Sequence, residues 1–170
     1  LRVGELDLVI GRMTDSPDIQ GLTFEHLYSE SMTLVVRPDH PLLAVGDEAL
    51  GQLGDYPLVL PTQGTTIRKH ADSLFVQCGV TPSRQRLETL SPALSRRYVL
   101  CSDALWVAPQ DAVCLDVQRG ELVELQLHLS EPGGSVGICR NGALGLSLSA
   151  ERFCDVLREV AQAYREGAFP

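Results

Sequence analysis

The octapeptide Pro61-Thr62-Gln63-Gly64-Thr65-Thr66-Ile67-Arg68 has the residue types of an anion-holding turn at a helix start. Gly64 permits a tight turn, and Thr62, Gln63, Thr65 and Thr66 add side-chain polar groups to backbone N–H groups. The positive end of a helix dipole favours negative charge there. Arg68 falls in the first helical turn, where a cation is mildly unfavourable unless an anion lies nearby. The same residues also read as an ordinary helix start, with Thr65 or Thr66 as N-cap and Arg68 as a solvated surface charge. Arg12, just after an apolar run, carries a planar fork able to hold a carboxylate in two bonds, and reads equally as an exposed loop arginine. Ser91-Pro92 has the form of an N-cap followed by an N1 proline. Trp106, Val107, Ala108 and Pro109 end another apolar run, as a wall for an aromatic or unsaturated ligand or as plain core.

Other chemistries find less support. Cys101, His70 and Asp103 supply the types of a nucleophile, a base and an orienting acid, but no spacing brings them together. No P-loop, HExxH or G-x-G-x-x-G occurs, no nucleophile elbow is expected, and neither enzymatic activity nor a cofactor follows. His26, His40, His70 and His128 lie far apart without metal-ligand spacing, so no metal is expected.

These side chains must be positioned by regular elements. Leu6, Leu8, Val9 and Ile10 form a short apolar run that stops at Gly11 without a helical period, as expected of a strand covered on both faces. Met32 to Val36 is a second such run, stopped by a turn bracketed by Pro38 and Pro41. Pattern places strands at 6–10, 33–36, 57–60, 104–108, 121–125 and 136–139. Helices are expected at 47–53, 66–77, 92–100, 110–118 and 150–165. The alternation predicts an α/β fold with a largely parallel sheet. In the last helix Phe153, Val156, Leu157, Val160, Ala161 and Tyr164 share one face, predicted to be the core face, after Ser149 as N-cap.

A chain of 170 residues, 44% hydrophobic, suffices for one domain or two small lobes. Its net charge of −8 argues against gripping a phosphate backbone over a broad face. Cys78, Cys101, Cys114, Cys139 and Cys154 are odd in number and lack C-x-x-C spacing, which predicts buried reduced thiols in a cytoplasmic protein rather than disulfides or zinc. No run approaches the roughly 18 apolar residues of a membrane helix, and no signal-peptide pattern opens the chain, so no membrane partner is expected. Leu1 reads as lying inside a helix end, which implies a piece of a longer domain.

Arg2-Val3-Gly4-Glu5-Leu6-Asp7-Leu8-Val9-Ile10-Gly11-Arg12, followed by Ser31-Met32-Thr33-Leu34-Val35-Val36-Arg37-Pro38-Asp39-His40-Pro41-Leu42, resembles the ligand-sensing domain of LysR-type transcriptional regulators. Tyr56 to Pro61, Thr66 to Gly79, Leu105 to Pro109, Arg119 to Val123 and the terminal helix follow in the family's order. The similarity covers essentially the whole chain. Each motif alone is degenerate, and the joint order and spacing carry the match.

The resemblance implies a periplasmic-binding-protein-like fold of type 2: two α/β lobes joined by crossover strands, with a small effector between them. The first lobe would comprise 1–57 and 130–170 and be truncated at its amino end, the second would comprise 58–129, and the amino-terminal winged helix-turn-helix would be absent. Effector-binding residues would be Arg12, Thr62, Gln63, Gly64, Thr65, Thr66, Arg68, Ser91, Val107 and Pro109. Within the family the chain is most similar to regulators of protocatechuate catabolism and their sugar-responsive relatives, which implies an aromatic-pathway carboxylate as effector. A solute-binding protein of a transport system shares the fold and is the alternative. The family also implies a homo-oligomer, with DNA contacted only through the absent amino-terminal domain. In that assembly the helix at 66–77 would dimerise through an exposed Ile67, Leu74 and Phe75 stripe.

Overall fold

The computed structural model describes residues 1–14, 19–126 and 133–167. The chain forms two compact units, one from 1–29 and 134–170 and the other from 30–133. The expected first division, between 57 and 58, differs from this because β3 (Met32–Val36) pairs antiparallel with β6 (Leu105–Pro109) and β7 (Val123–Glu124) and so belongs to the second unit. The expected second division, between 129 and 130, and His128 lie outside the described residues.

The second unit is built on five strands in the order β5, β4, β6, β3, β7, where β4 is Leu58–Leu60 and β5 is Arg86–Glu88. Each apolar run is split between two cores by the two-residue strand period. Leu34, Val36, Leu58, Leu60, Leu105 and Val107 face one way, onto Ala71, Leu74 and Phe75 of α2 (Thr66–Cys78). Val35, Val59, Trp106 and Ala108 face the other way, onto Val99 of α3 (Pro92–Leu100) and Val113 of α4 (Gln110–Gln118). Leu74 and Phe75 are therefore core residues, and the expected exposed dimer stripe does not exist; only Ile67 of the three is half-exposed. The sheet is mixed rather than largely parallel: β4 runs parallel to β5 and β6, while β3 runs antiparallel to both neighbours. The helix expected at 47–53 is a single short turn, α1 (Ala49–Gln52), between 3-10 turns.

The first unit has three strands in the order β1 (Leu8–Arg12), β8 (Gly134–Asn141), β2 (Leu22–Glu30). β1 is an edge strand paired antiparallel with β8, and Val9 and Ile10 are 38% and 46% exposed, so it is not the doubly covered strand that the apolar run suggests. The long helix α5 (Leu148–Arg165) starts at Ser147, whose hydroxyl accepts the Ala150 N–H, two residues before the expected cap. Its core contacts come from Cys154, Leu157 and Ala161 against Leu27 and Ile138, and Ala150 is buried near its start. Phe153, Val156 and Val160, predicted as core, are about half exposed, and Tyr164 lies against Tyr28 with ring centroids 5.0 Å apart. Small side chains let the helix lie close to the strands, and the larger apolar ones are left on its flank.

Candidate functional site

Because β4, β5 and β6 are parallel, the chain leaves all three at the same edge of the sheet. It turns there into α2, α3 and α4, so three helix amino termini gather at one end of the second unit, the strand ends at which open α/β sheets place ligands. Between them lies a small cavity of about 90 Å3. Pro61 and Ile67 contribute from the α2 side, Thr89, Leu90, Pro92 and Ser95 from the α3 side, and Trp106, Val107, Pro109 and Ala112 from β6 and α4. Val107 and Pro109, singled out in the sequence, are both walls of this cavity.

Thr65 is the N-cap of α2: its hydroxyl oxygen accepts the Arg68 N–H at 3.3 Å and its O–H donates to the Thr62 carbonyl at 2.7 Å. Gly64 has φ +81°, the left-handed conformation that the turn requires. Thr66 and Ile67 then open the helix, where N–H groups have no intrahelical acceptor. Ser91 caps α3 by accepting the Leu94 N–H at 3.4 Å. Thr62, Gln63 and Gly64, in the turn between the cavity-lining Pro61 and α2, are exposed.

Arg68 does not reach into this site. It is 5% exposed, and its guanidinium donates to Asp72 at 2.8 Å, to Glu88 at 3.0 Å and to the Pro61 carbonyl at 2.9 Å. The hydrogen bond from Arg68 holds the Glu88 carboxyl below its ordinary range, helped by the Gln63 backbone N–H. The anion that a cation in the first turn calls for is thus built in, and Gln63 offers its N–H to Glu88 rather than to a ligand. Asp72 and Glu88 are open to water and can be resolvated, so the expected cost of Arg68→Ala to the second unit comes from lost packing of the buried stem and the stranded Pro61 carbonyl, about 1–3 kcal/mol. Urea titration followed by circular dichroism measures this; a loss below about 1 kcal/mol would mean that the network contributes little.

Arg12 lies in the first unit, opposite Val136, beside an apolar cavity of about 430 Å3 shared with Val9, Met13, Phe24 and Cys139. Cys101 and Asp103 border a polar cavity of about 490 Å3, but the Asp103 carboxylate is held by Arg37 at 2.7 and 3.1 Å, and His70 stands apart on α2. The five cysteines are all free; Cys154 is buried, Cys78, Cys114 and Cys139 are partly buried, and Cys101 departs from the expectation of buried thiols by being exposed. Among the described residues no His, Cys, Asp and Glu cluster could hold a metal ion. No helix among them is long and apolar enough to cross a membrane.

One spacing escaped the sequence reading. Gly133-Gly134-Ser135-Val136-Gly137 has the G-x-S-x-G form, and Ser135 Oγ lies 2.6 Å from His26 Nδ1. Ser135 is the second residue of a strand, however, and not the apex of a strand-to-helix turn. It makes a cross-strand pair, not a nucleophile elbow. Glu30, whose carboxylate accepts the Asp111 N–H at 3.3 Å at the start of α4, was also missed. No local pattern links residues 81 positions apart.

The family model described as the LysR substrate binding domain matches residues 1–162. The transcriptional regulator PcaQ of Agrobacterium fabrum is 35% identical over 167 residues, covering 98% of this chain and 54% of the relative. The regulator YdcI of Escherichia coli K12 is 38% identical over 138 residues, 81% of this chain and 45% of that protein. The chain therefore spans about half the length of the curated relatives it matches. Among solved structures, the regulatory domain of Synechocystis CcmR in complex with 2-PG superposes with a TM-score of 0.73 at 22% identity, covering 94% of this chain and 76% of that one. The effector-binding domain of QuiR in complex with shikimate gives 0.73 at 17% identity, with 95% and 75% covered. At these identities the likeness is one of fold.

Proposed function

The chain belongs to the LysR substrate-binding-domain family, and from that premise we propose that the ends of α2, α3 and α4 in the second unit receive a small organic carboxylate whose binding sets the activity of a longer, DNA-binding regulator. The observation that supports this reading is the gathering of three helix amino termini around a small, mainly apolar cavity. The termini favour an anionic group, and the walls favour an unsaturated or aromatic body. The N–H groups of Thr66 and Ile67, the Gln63 side-chain amide, and Thr62, Gly64, Thr65 and Ser91 would meet the carboxylate, and Val107 and Pro109 the body. Arg12, in the first unit, is proposed as an anion contact beside the cavity of that unit. Shikimate, bound by one structural neighbour, is itself a ring carboxylate.

DNA contact and homo-oligomer formation are assigned to the longer protein. A net charge of −8 argues against this chain gripping a phosphate backbone over a broad face.

Trp106 is the only tryptophan in the chain, is 6% exposed and lines the cavity, so its fluorescence reports occupancy directly. Titration with benzoate should give a saturable change that benzamide does not give. Ala112→Phe, placing a ring at the mouth from an exposed helix position, should weaken benzoate by at least about tenfold, which corresponds to 1.4 kcal/mol. Equal responses to acid and amide, or unchanged affinity in Ala112→Phe, would remove this cavity as the site.

A further inference from the structure

The three helix starts at this cavity are not finished in the same way. α2 is capped by its own Thr65 and α3 by its own Ser91, but the residue before α4 is Pro109, which makes no side-chain cap bond. The acceptors come instead from the junction of β2 and β3. The Ser31 carbonyl accepts the Gln110 N–H at 3.0 Å, and Glu30 Oε1 accepts the Asp111 N–H at 3.3 Å. Glu30 is 9% exposed and is the first residue of the second unit as the chain leaves the first. The returning chain lies against the same residue: Gly133 has φ +69°, and a Cβ there would stand 2.5 Å from the Glu30 carbonyl carbon and 2.8 Å from the Ser31 nitrogen.

The first and last residues of the second unit, Glu30 and Gly133, therefore pack together, and Glu30 in turn holds the first turn of α4, where Pro109 and Ala112 line the cavity. We propose that Glu30 is the positioning residue that couples occupancy of the cavity to the crossover segments, by tying the ligand-facing turn of α4 to the backbone at 30–31. This inference rests on the effector reading above and names the regulation of that same site. A carboxylate suits the task because helix N–H groups at the dipole's positive end bind an ionised acceptor more strongly than a neutral one. Close packing of Gly133 on Glu30 and Ser31 ties that residue to the same backbone.

The test uses this chain, with benzoate as the probe and amide hydrogen exchange read at 110–113 and at 30–34. In the unsubstituted chain benzoate should slow exchange in both segments, by at least about fivefold. Glu30→Ala should still bind benzoate, as read by Trp106 fluorescence, and still protect 110–113, but leave 30–34 unchanged. Glu30→Gln, which keeps the acceptor oxygen, should restore protection at 30–34 in part. Coupled protection that persists in Glu30→Ala overturns the proposal while leaving the carboxylate reading intact. Absence of any protection at 110–113 in the unsubstituted chain overturns both.

Discussion

Gly137→Ala is expected to destabilise the first unit by about 3 kcal/mol or more, the upper end of what overpacking costs. Gly137 sits in β8, the middle strand of its sheet, paired with Gly11 of β1. A Cβ at this position would clash with the Glu25 carbonyl oxygen and stand 2.9 Å from the Glu25 carbonyl carbon and 2.7 Å from the tip of the Phe24 ring. The ring can swing away. The Glu25 backbone cannot, because it belongs to β2, so relief requires part of β2 to move away from β8 and uncovers Leu27 and Ile138 in the small core beneath α5. Gly145→Ala is the matched control, since nothing lies within 4 Å of its added methyl. Urea unfolding of both variants, followed at several wavelengths, should show an early transition for Gly137→Ala alone. Equal midpoints would mean that the strands slide to admit the methyl at little cost.

His40→Ala is expected to destabilise the second unit by about 2–4 kcal/mol through lost packing and two stranded backbone groups. The imidazole is 2% exposed. Its Nδ1 accepts the Leu42 N–H at 3.1 Å, which leaves Nε2 to carry the proton and donate to the Asp103 carbonyl at 3.1 Å. The ring packs on Tyr56 at 4.7 Å between centroids. The neutral ring is thus satisfied at both nitrogens, and a second proton would have to displace the Leu42 N–H. Burial lowers the His40 pKa; the Asp103 carbonyl and carboxylate oppose this, and the Arg37 guanidinium adds to it. In the unfolded chain the group titrates at about 6.5, so between that value and the lower folded one the unfolded state holds more protons. Stability contributed by the neutral ring is therefore present above about pH 6.5 and is lost as pH falls through the folded pKa. Urea midpoints at pH 7.5, 6.0 and 5.0 should fall more steeply for the unsubstituted chain than for His40→Ala. Parallel lines for the two proteins would show that His40 does not control the slope.

The elements that the sequence revealed are those whose signals are local. α3 and α4 have their expected bounds: a cap, a proline at the first position and an apolar period define α3, and the proline that ends β6 together with an apolar period defines α4. β3 is legible as an apolar run that stops before a proline turn. β2 and β5 are not: Leu22–Glu30 is an irregular mixture of polar and apolar residues, and Arg86–Glu88 is three residues long. Both are strands because a neighbouring ladder completes them. The candidate site divides in the same way. Val107, Pro109, Thr65 and Ser91 stand where strand ends and caps predict. Arg68 does not, because its partner Glu88 is 20 positions away and becomes adjacent only when β5 pairs with β4.

By itself the sequence determined the α/β class, the family, the helix starts that frame the cavity and the acidic net charge, since caps, periods and charge are properties of the residues themselves. The tertiary structure alone decided which arc of α5 is buried, that Leu74 and Phe75 are core, that Arg68 is an anchor rather than a ligand, and that Glu30 finishes α4. The physical reason is that a period states which residues share a face but not what the face meets. The fate of a charge or an orphan N–H depends on the partner that folding brings beside it.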